Sequence, residues 1–368
     1  MGPPDGATLY RTDLETNWDD NSKDLLRTML STPGVSGYEQ SIQSIVRDHV
    51  ATFADTVSTD VHGNVIAVSN PGGGPRLMFD GHCDQLGMLV SHVDDDGFLY
   101  FQTVGGWDPQ QLVGQRVTVW SRTGQIPGVI SRKAIHLLSS DEKTKVVDPK
   151  DMWIDIGASD RADAESVVQI ADSVTVQLGM QELRNGLANA PAMDNRTGLW
   201  VVVEAMRRAV ERGLTCELHM ASTVQEEIGL RGARTAAYGI DPDVAIAVDV
   251  THATDCPSID KRQRGTIDLG KGPVILKGPN INPRVSTLLE EIAVREKIPH
   301  QIAALGRAAP NDSNALQVTR AGVATGLVQL PNRYMHSAVE TISLTDLDQA
   351  ADLLAAFACE LRQETELV

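Results

Sequence analysis

Two stretches of helical and strand-like segments, separated by a block of short strands, most constrain what this chain can fold into. Amphipathic helical segments alternate with apolar strand runs over about 22–86 and again from about 179 to the end. Between them, 87–178 contains many short alternating segments with turn signals and one helical piece after Asp160. This pattern predicts an α/β fold, an αβα sandwich interrupted by a small inserted β-barrel-like domain.

The chain's length and its first residues agree with that division. At 368 residues the chain is long for one core, so we expect two folded domains. Residues 1–21 lack periodicity and begin with Pro, Gly and Asp, which predicts a mobile N-terminal extension. Ser36 and Glu39 have the spacing of a capping box, which predicts a helix that Ser36 opens.

Charge and cysteine usage bear on partners and location. The net charge of −17 argues against a nucleic-acid or anionic-membrane partner, because phosphate binding needs a basic face. The sequence shows no signal-peptide pattern and no window approaching 18 apolar residues. The four cysteines lie far apart, as expected for thiols in a reducing compartment. We therefore expect a cytoplasmic protein without a membrane partner.

Two adjacent carboxylates, Glu226 and Glu227, stand where the apolar run 218–224 gives way to a Gly-containing turn. Neighbouring side chains on extended backbone point to opposite faces, so the pair can act in one site only where the strand ends. There, one acid can hold a metal ion while the other moves a proton. The alternative is a solvated strand end.

Further ligand types follow other predicted elements. His82 ends an apolar strand run, and Asp84, two residues on, can hold its imidazole by the other nitrogen. Asp194 precedes a helical segment, Asp249 ends a strand run and His336 follows another. Sites in open α/β sheets lie outside the carboxyl ends of the strands, so we expect these side chains to gather there.

Each of these residues also has an ordinary alternative as a core histidine, a helix cap, a turn acid or a loop residue. Together they offer two histidines, three carboxylates and a spare glutamate. That set suits two divalent ions that share a bridging carboxylate and a water. No G-x-S-x-G motif competes, and Cys83 has no evident base.

A series of short motifs runs in order from about residue 22 to the C-terminus. They are Gly-His-Cys-Asp-Gln-Leu-Gly (81–87), Gly-Val-Ile-Ser-Arg-Lys-Ala-Ile-His-Leu-Leu (128–138), Ile-Asp-Ile-Gly-Ala (154–158), Ala-Met-Asp-Asn-Arg (192–196), Thr-Val-Gln-Glu-Glu-Ile-Gly-Leu-Arg-Gly-Ala (223–233), Ala-Val-Asp-Val-Thr (247–251) and Arg-Tyr-Met-His-Ser (333–337). Through these motifs the chain resembles the dinuclear metallo-aminopeptidases, a family that includes glutamyl aminopeptidase, deblocking aminopeptidases and the tetrahedral TET peptidases. Any one motif is weak, but the ordered set is highly specific.

The resemblance implies a centre of two divalent ions, with zinc or cobalt as the expected metals. By position, it implies that His82 and Asp249 bind one ion and that Glu227 and His336 bind the other. Asp194 is then the bridging ligand. The implied activity is removal of N-terminal residues from short peptides.

Two further roles are implied, Glu226 as general base and Asp84 as the group that orients His82. The chain departs from the family pattern at Cys83 and Gln85, where Met and an acidic residue are common. It also departs at 311–314, near the expected substrate site. These changes leave the implied ligand set complete and concern the specificity pocket.

The resemblance also assigns the two domains. It implies a catalytic domain formed by 22–86 and 179–368, and a PDZ-like dimerisation domain at 87–178. In the tetrahedral relatives such dimers assemble into hollow dodecamers, and we expect the same here. The alternative for the insertion is a lid that only shapes the cleft, and His136 within it has an expected structural role.

Two other classes of protein remain open from the sequence. One is another dinuclear-metal amide hydrolase, such as a deacylase or a carboxypeptidase-like enzyme, built on the same ligands. The other is a glycoside-acting or non-catalytic protein. A carboxylate pair can serve glycoside cleavage, but that reaction gives no reason for His82, Asp249 and His336 to accompany the pair.

Overall fold

The structure, a computed structural model, describes residues 18–367. Most of the predicted N-terminal extension, 1–21, therefore lies outside the described residues. Within its last part, Trp18 is buried and stacks on Trp200 with ring centroids 4.1 Å apart. Asp19 caps a helix that begins at Asp20. Packing thus begins before residue 22, the predicted start of the catalytic domain.

Helices and strands alternate on both sides of a run of short strands. The helices are α1 (Asp20–Ser31), α2 (Gln40–Val50), α3 (Arg161–Val167), α4 (Met193–Arg212), α5 (Arg231–Ile240), α6 (Lys261–Arg264), α7 (Pro283–Arg295), α8 (Asp312–Gln317) and α9 (Leu344–Glu360). The strands are β1 (Thr56–Thr59), β2 (Val65–Ser69), β3 (Gly74–His82), β4 (Gly87–Val93), β5 (Leu99–Val104), β6 (Arg116–Ser121), β7 (Gly124–Ser131), β8 (Trp153–Asp155), β9 (Ser173–Val176), β10 (Gln181–Glu182), β11 (Leu187–Ala190), β12 (Cys216–Thr223), β13 (Val244–His252), β14 (Val274–Lys277), β15 (Gln301–Ala304), β16 (Ala324–Asn332) and β17 (Glu340–Ser343).

The larger unit, here the sandwich, is built on an eight-stranded mixed sheet with the order β1-β2-β12-β3-β13-β16-β14-β15. Its four central strands, β12, β3, β13 and β16, are parallel neighbours. Such strands are covered on both faces and tend to be continuously apolar, as seven consecutive buried residues of β13 illustrate. Because parallel neighbours end at the same edge, this edge collects the chain segments that follow all four strands.

Helices cover both faces of the sheet. On one face α4 packs against all four central strands and against α9, and on the other α5 and α8 pack. The strand β3 passes so close to α4 that a Cβ added to Gly81 would lie only 2.9 Å from the backbone nitrogen of Leu199. This close contact, next to His82, fixes the end of β3 against the start of α4.

The insertion forms a closed barrel, β4-β5-β8-β7-β6-β9, with an apolar core of its own. Its entering strand β4 pairs antiparallel with its leaving strand β9, at Met88 and Val174. The two ends of the insertion therefore lie side by side, which is why a sandwich can accept such an insertion. The predicted α/β sandwich with an inserted β-barrel-like domain is confirmed. Within the described residues, no helix is long and apolar enough to cross a membrane.

One local prediction is wrong. Ser36 does not cap a helix; α2 begins at Gln40, and the Ser36 hydroxyl instead donates to Oδ2 of Asp84 at 2.6 Å. Glu39 does not reach back to Ser36 but accepts from the backbone N–H groups of Gly37 (2.7 Å) and Gln225 (3.2 Å). Both polar side chains are used to tie the first helices to the strand-end loops.

Candidate active site

The carboxyl edge of the central strands carries most of the predicted site residues. His82 is the last residue of β3, and Asp249 lies in the second half of β13. Glu226 and Glu227 follow the end of β12, and His336 lies in the loop after β16. The parallel order of these strands brings together side chains that are far apart in sequence.

Asp194 reaches the same place from the first turn of α4. Its backbone there is not helical (φ −79°, ψ 106°), and its two carboxylate oxygens face different histidines. Oδ1 lies 3.3 Å from Nε2 of His82, and Oδ2 lies 3.4 Å from Nε2 of His336. A carboxylate in this position has one oxygen available for each of two neighbouring cations.

Two groups of possible metal ligands share Asp194. One joins it with His82 and Asp249, the other with Glu227 and His336, and in each the donor atoms lie within 4.8 Å of one another. Nε2 of His82 is 3.9 Å from Oδ1 of Asp249, and Nε2 of His336 is 3.5 Å from Oε2 of Glu227. Tetrahedral ligands about 2.0–2.2 Å from zinc stand roughly 3.3–3.6 Å apart. The separations of 3.3, 3.4 and 3.5 Å that involve Asp194 and His336 fit ions of this size, and the 3.9 Å between His82 and Asp249 is slightly longer.

The donor chemistry also fits cations. Oε1 of Glu227 is buried without a hydrogen-bond partner. Burial, and then the charge of Asp194, raises the pKa of Glu227 well above its usual range and that of Asp249 to about 7. Asp194 is the exception: burial raises its pKa, but hydrogen bonds with His336 and His82 outweigh this and leave the pKa lowered. So many carboxylates in one buried place lack compensating positive charge, which divalent ions would supply.

Glu226 stands beside these two groups. Its Oε2 is 3.9 Å from Nε2 of His82, and with His82 and Glu227 it forms a third possible ligand group. Burial raises its pKa well above the usual range, although the nearby His82 lowers it. A buried carboxylate with a raised pKa suits proton transfer. Geometry alone is compatible with Glu226 as base or as ligand.

Asp84 connects His82 to the glutamate pair. Its Oδ1 lies 3.3 Å from Nδ1 of His82, which leaves Nε2 directed at the site. The same carboxylate accepts from the backbone N–H groups of Glu226 (3.0 Å) and Glu227 (3.2 Å), besides the Ser36 hydroxyl. Asp84 thus orients the His82 ring, as carboxylates behind metal-binding histidines commonly do. It also fixes the turn that carries Glu226 and Glu227.

The barrel also reaches this site. Nδ1 of His336 lies 3.1 Å from the backbone carbonyl of Gly106, in the loop between β5 and β6. A Cβ on Gly106 would lie 3.2 Å from the same nitrogen, so a side chain there would crowd the His336 ring. The insertion contributes none of the seven predicted side chains, yet it orients one of them.

Two buried acids that were not predicted as site residues lie behind the ligands. Asp80 precedes His82 by two residues on β3, and Asp312 begins α8, where Oγ1 of Thr223 donates to its Oδ2 at 3.2 Å. Burial raises the pKa of Asp80 to about 7, and burial and the charge of Asp80 raise that of Asp312 well above its usual range. For Asp80, the available sequence signal was an acidic residue inside an otherwise apolar strand run.

Glu340 was missed altogether. It is 2% exposed and accepts from the backbone N–H groups of Asp194 and His336. The sequence offered one signal, a lone acid at the start of the strand run that precedes α9. All seven predicted side chains do meet in one site, while their individual roles stay predictions.

A cavity of about 730 Å³ opens in front of these groups. Asp194, Glu226, Glu227, Asp249 and His336 line one end. The rest of the lining combines apolar residues such as Ile267, Leu276 and Leu305 with two arginines, Arg264 and Arg307, and with several uncharged polar residues. This volume is typical of sites for small ligands. An α/β sandwich with buried acids and histidines at the mouth of such a cavity defines the class, a metal-dependent hydrolase.

Comparison with known proteins identifies the family. Residues 63–353 match the model of the M42 glutamyl aminopeptidase family. The chain is 36% identical to the lysyl aminopeptidase of Pyrococcus furiosus over 345 residues, which cover 92% of this chain and 97% of that protein. The chain therefore belongs to the M42 glutamyl aminopeptidase family. It is a peptide hydrolase, a metal-dependent aminopeptidase, as the sequence predicted.

Solved structures agree. The TET aminopeptidase of a marine sediment archaeon of the Thaumarchaeota superimposes with a TM-score of 0.90 at 34% identity, covering 94% of this chain and 98% of that chain. The TET1 peptidase of Pyrococcus horikoshii, described as assembling into a tetrahedron or a large octahedral shell, superimposes with a TM-score of 0.83 at 32% identity. That match covers 92% of this chain and 100% of the other. Both matches span at least 92% of each chain, so the resemblance noted from the motifs is confirmed.

Proposed function

We propose that this aminopeptidase removes N-terminal residues from short peptides with a dinuclear metal centre. The observation that carries the proposal is Asp194, whose two oxygens face the two histidines at 3.3 and 3.4 Å. His82 and Asp249 complete the ligands of one ion. Glu227 and His336 complete those of the other, with zinc or cobalt as the metal. When bound, such ions polarise the scissile carbonyl and lower the pKa of the attacking water.

Glu226 and Asp84 supply the remaining chemistry. Glu226 accepts the proton of the attacking water and passes it to the leaving amine, a role that its largely enclosed side chain, 11% exposed, and its position 3.9 Å from His82 support. Asp84 keeps the His82 ring oriented through Nδ1. Because Asp84 also accepts a hydrogen bond from the backbone N–H of Glu226, it fixes the position of the general base relative to the histidine ligand.

The free cysteines and the net charge bear on the compartment and the partners that we propose. The four cysteines are unpaired, which supports the cytoplasm as the working compartment. The net charge of −17 argues against a nucleic-acid or anionic-membrane partner, because phosphate binding needs a basic face.

Metal-stripped protein should be inactive on aminoacyl chromogenic substrates and regain activity with added zinc, cobalt or manganese. Activity should rise to a plateau at about two ions per chain, measured by elemental analysis alongside kcat. Matched N-acylated substrates serve as the control, because an aminopeptidase requires a free amine. Turnover of the N-acylated set alone would point to a deacylase, and full activity in chelator-treated, metal-free protein would contradict the metal mechanism.

We propose further that 87–178 pairs two chains and that these dimers form a closed tetrahedral dodecamer, since closed point-group symmetry is the general expectation for homo-oligomers. Large apolar side chains stand exposed on the barrel, at Val129 (45%), Ile135 (59%), Leu137 (69%) and Val146 (59%). Contiguous exposed apolar patches mark interaction sites, and Ile135 and Leu137, two residues apart in the chain, are the natural centre of such a patch. Enclosure of the sites would restrict substrates to short peptides.

Ile135→Asp combined with Leu137→Asp should break the pairing, because burying two carboxylates at an apolar interface is costly. Light scattering should then report smaller particles than for the intact protein. Val61→Asp, at a fully exposed turn of the sandwich, is the matched control and should leave the mass unchanged. A monomeric intact protein with normal peptide turnover would refute the assembly and leave the catalytic proposal standing. Excising the whole barrel is less informative, since it would also remove the Gly106 carbonyl from His336.

A further inference from the structure

Glu340 occupies a position that connects two separate segments of the site. It is the first residue of β17 and pairs with Ala190 of β11, the strand that leads into α4 and Asp194. It also follows His336 by four residues. Its side chain points inward, with 2% of the residue exposed.

Each oxygen of this carboxylate accepts from the backbone of a different proposed ligand. Oε2 accepts from the N–H of Asp194 at 3.0 Å, and Oε1 accepts from the N–H of His336 at 2.7 Å. Both distances are those of well-formed hydrogen bonds. Asp194 and His336 therefore share one anchor although they lie on different segments.

The backbone conformations of Asp194 and His336 explain why these hydrogen bonds to Glu340 matter. His336 has φ +61°, in the left-handed region that residues other than glycine rarely occupy. Asp194 is non-helical inside the first turn of α4. Neither conformation is the local default, so an external group has to hold it. The two side chains must also keep Oδ2 of Asp194 within 3.4 Å of Nε2 of His336.

We propose that Glu340 is a positioning residue for the metal site formed by Asp194, Glu227 and His336. It acts through the backbone of two ligands and contacts neither metal nor substrate. This inference rests on the dinuclear centre proposed above. The competing explanation is that Glu340 only stabilises the loop between β16 and β17, without a specific effect on the ligands.

The chain offers a matched control for that explanation. Asp346 is 1% exposed and likewise accepts from two backbone N–H groups, those of Gly270 and Gly272, both at 2.8 Å. It belongs to α9 and does not line the cavity at the site. Asp346→Asn therefore removes an equivalent buried acceptor pair at a distance from the proposed ligands.

Glu340→Gln keeps the shape but sets an amide NH2 against one backbone N–H. Wild-type protein should retain about two ions per chain after dialysis. Glu340→Gln should bind the ion held by Asp194, Glu227 and His336 about 10–100-fold more weakly, and should affect the other ion less, because Glu340 reaches the ligands of that ion only through Asp194. Titration of metal into stripped protein, followed by elemental analysis, measures this directly. At saturating metal the variant should recover most of its kcat, and Asp346→Asn should keep both ions at wild-type affinity.

A double-mutant cycle identifies which ion is affected. His336→Ala removes a ligand of the same site, so adding Glu340→Gln to it should weaken metal binding by much less than the same change does in the wild type. Should Glu340→Gln fail to fold, Glu340→Asp keeps the charge but is too short to reach both N–H groups, and should weaken the same ion by a smaller factor. Wild-type affinity for both ions in the Glu340 variants, or an equal loss in Asp346→Asn, would overturn the proposal. Fewer than two ions in the wild type would instead contradict the dinuclear centre itself.

Discussion

Glu226→Gln is expected to lower kcat by about 10²–10⁴-fold while both metal ions stay bound. The amide fills the same space but cannot accept the proton of the attacking water, and positioned acid–base groups contribute rate factors of this size. The effect should appear in kcat with little change in KM. Steady-state kinetics on an aminoacyl chromogenic substrate, together with metal analysis of the dialysed variant, measures both quantities.

Glu227→Gln is the matched control. The two side chains are adjacent and similarly buried, with 11% and 5% of the side chain exposed, so general effects of an amide on folding should be alike. Glu227→Gln should weaken one ion, and added metal should restore part of its activity. Reversed phenotypes, with metal lost in Glu226→Gln and only kcat lost in Glu227→Gln, would mean that the base and the ligand have been exchanged.

The sequence predicted the part of the site that depends on strand ends. An apolar run followed by His82, or one that ends with Asp249, is a local pattern, and parallel strands bring such ends to one edge. Asp194 was recognised for its place before a helix. The sheet order that makes β12, β3, β13 and β16 neighbours comes from long-range pairing, which the local sequence patterns did not predict.

Residues that act through the backbone of distant segments could not be predicted in this way. Glu340 binds the N–H of Asp194, which is 146 positions earlier in the chain. Ser36 and Glu39 formed a convincing capping-box pattern, but tertiary contacts with Asp84 and Gln225 use the same polar atoms. Local propensity is a weak guide where a buried polar group elsewhere needs a partner.

The barrel gives a further example. Its short alternating strands predicted a separate β-rich domain, and the closed six-strand order agrees. Nothing in the pattern around Gly106 indicated that its carbonyl would meet His336, because a backbone acceptor carries no residue-type signal. The contact makes the insertion part of the site as well as the candidate surface for pairing.

Asp194 offers the sharpest test of the metal centre as a whole. If its oxygens serve two ions, Asp194→Ala should weaken both, whereas His82→Ala and His336→Ala should each weaken one. The hydrogen bond from the Asp194 N–H to Glu340 survives the substitution, since it involves only backbone on the Asp194 side. The local backbone of α4 should therefore persist in the variant.

Asp194→Ala is accordingly expected to abolish measurable turnover and to retain less than one ion per chain under conditions where the wild type retains about two. The reason is that one side chain supplies a ligand to each group, with separations of 3.3 Å to His82 and 3.4 Å to His336. Metal analysis of the three variants, with thermal unfolding of their metal-free forms as the check on folding, makes the comparison. Loss of a single ion, matching only one of the histidine variants, would show that Asp194 is a terminal ligand and that the two sites are not joined through it.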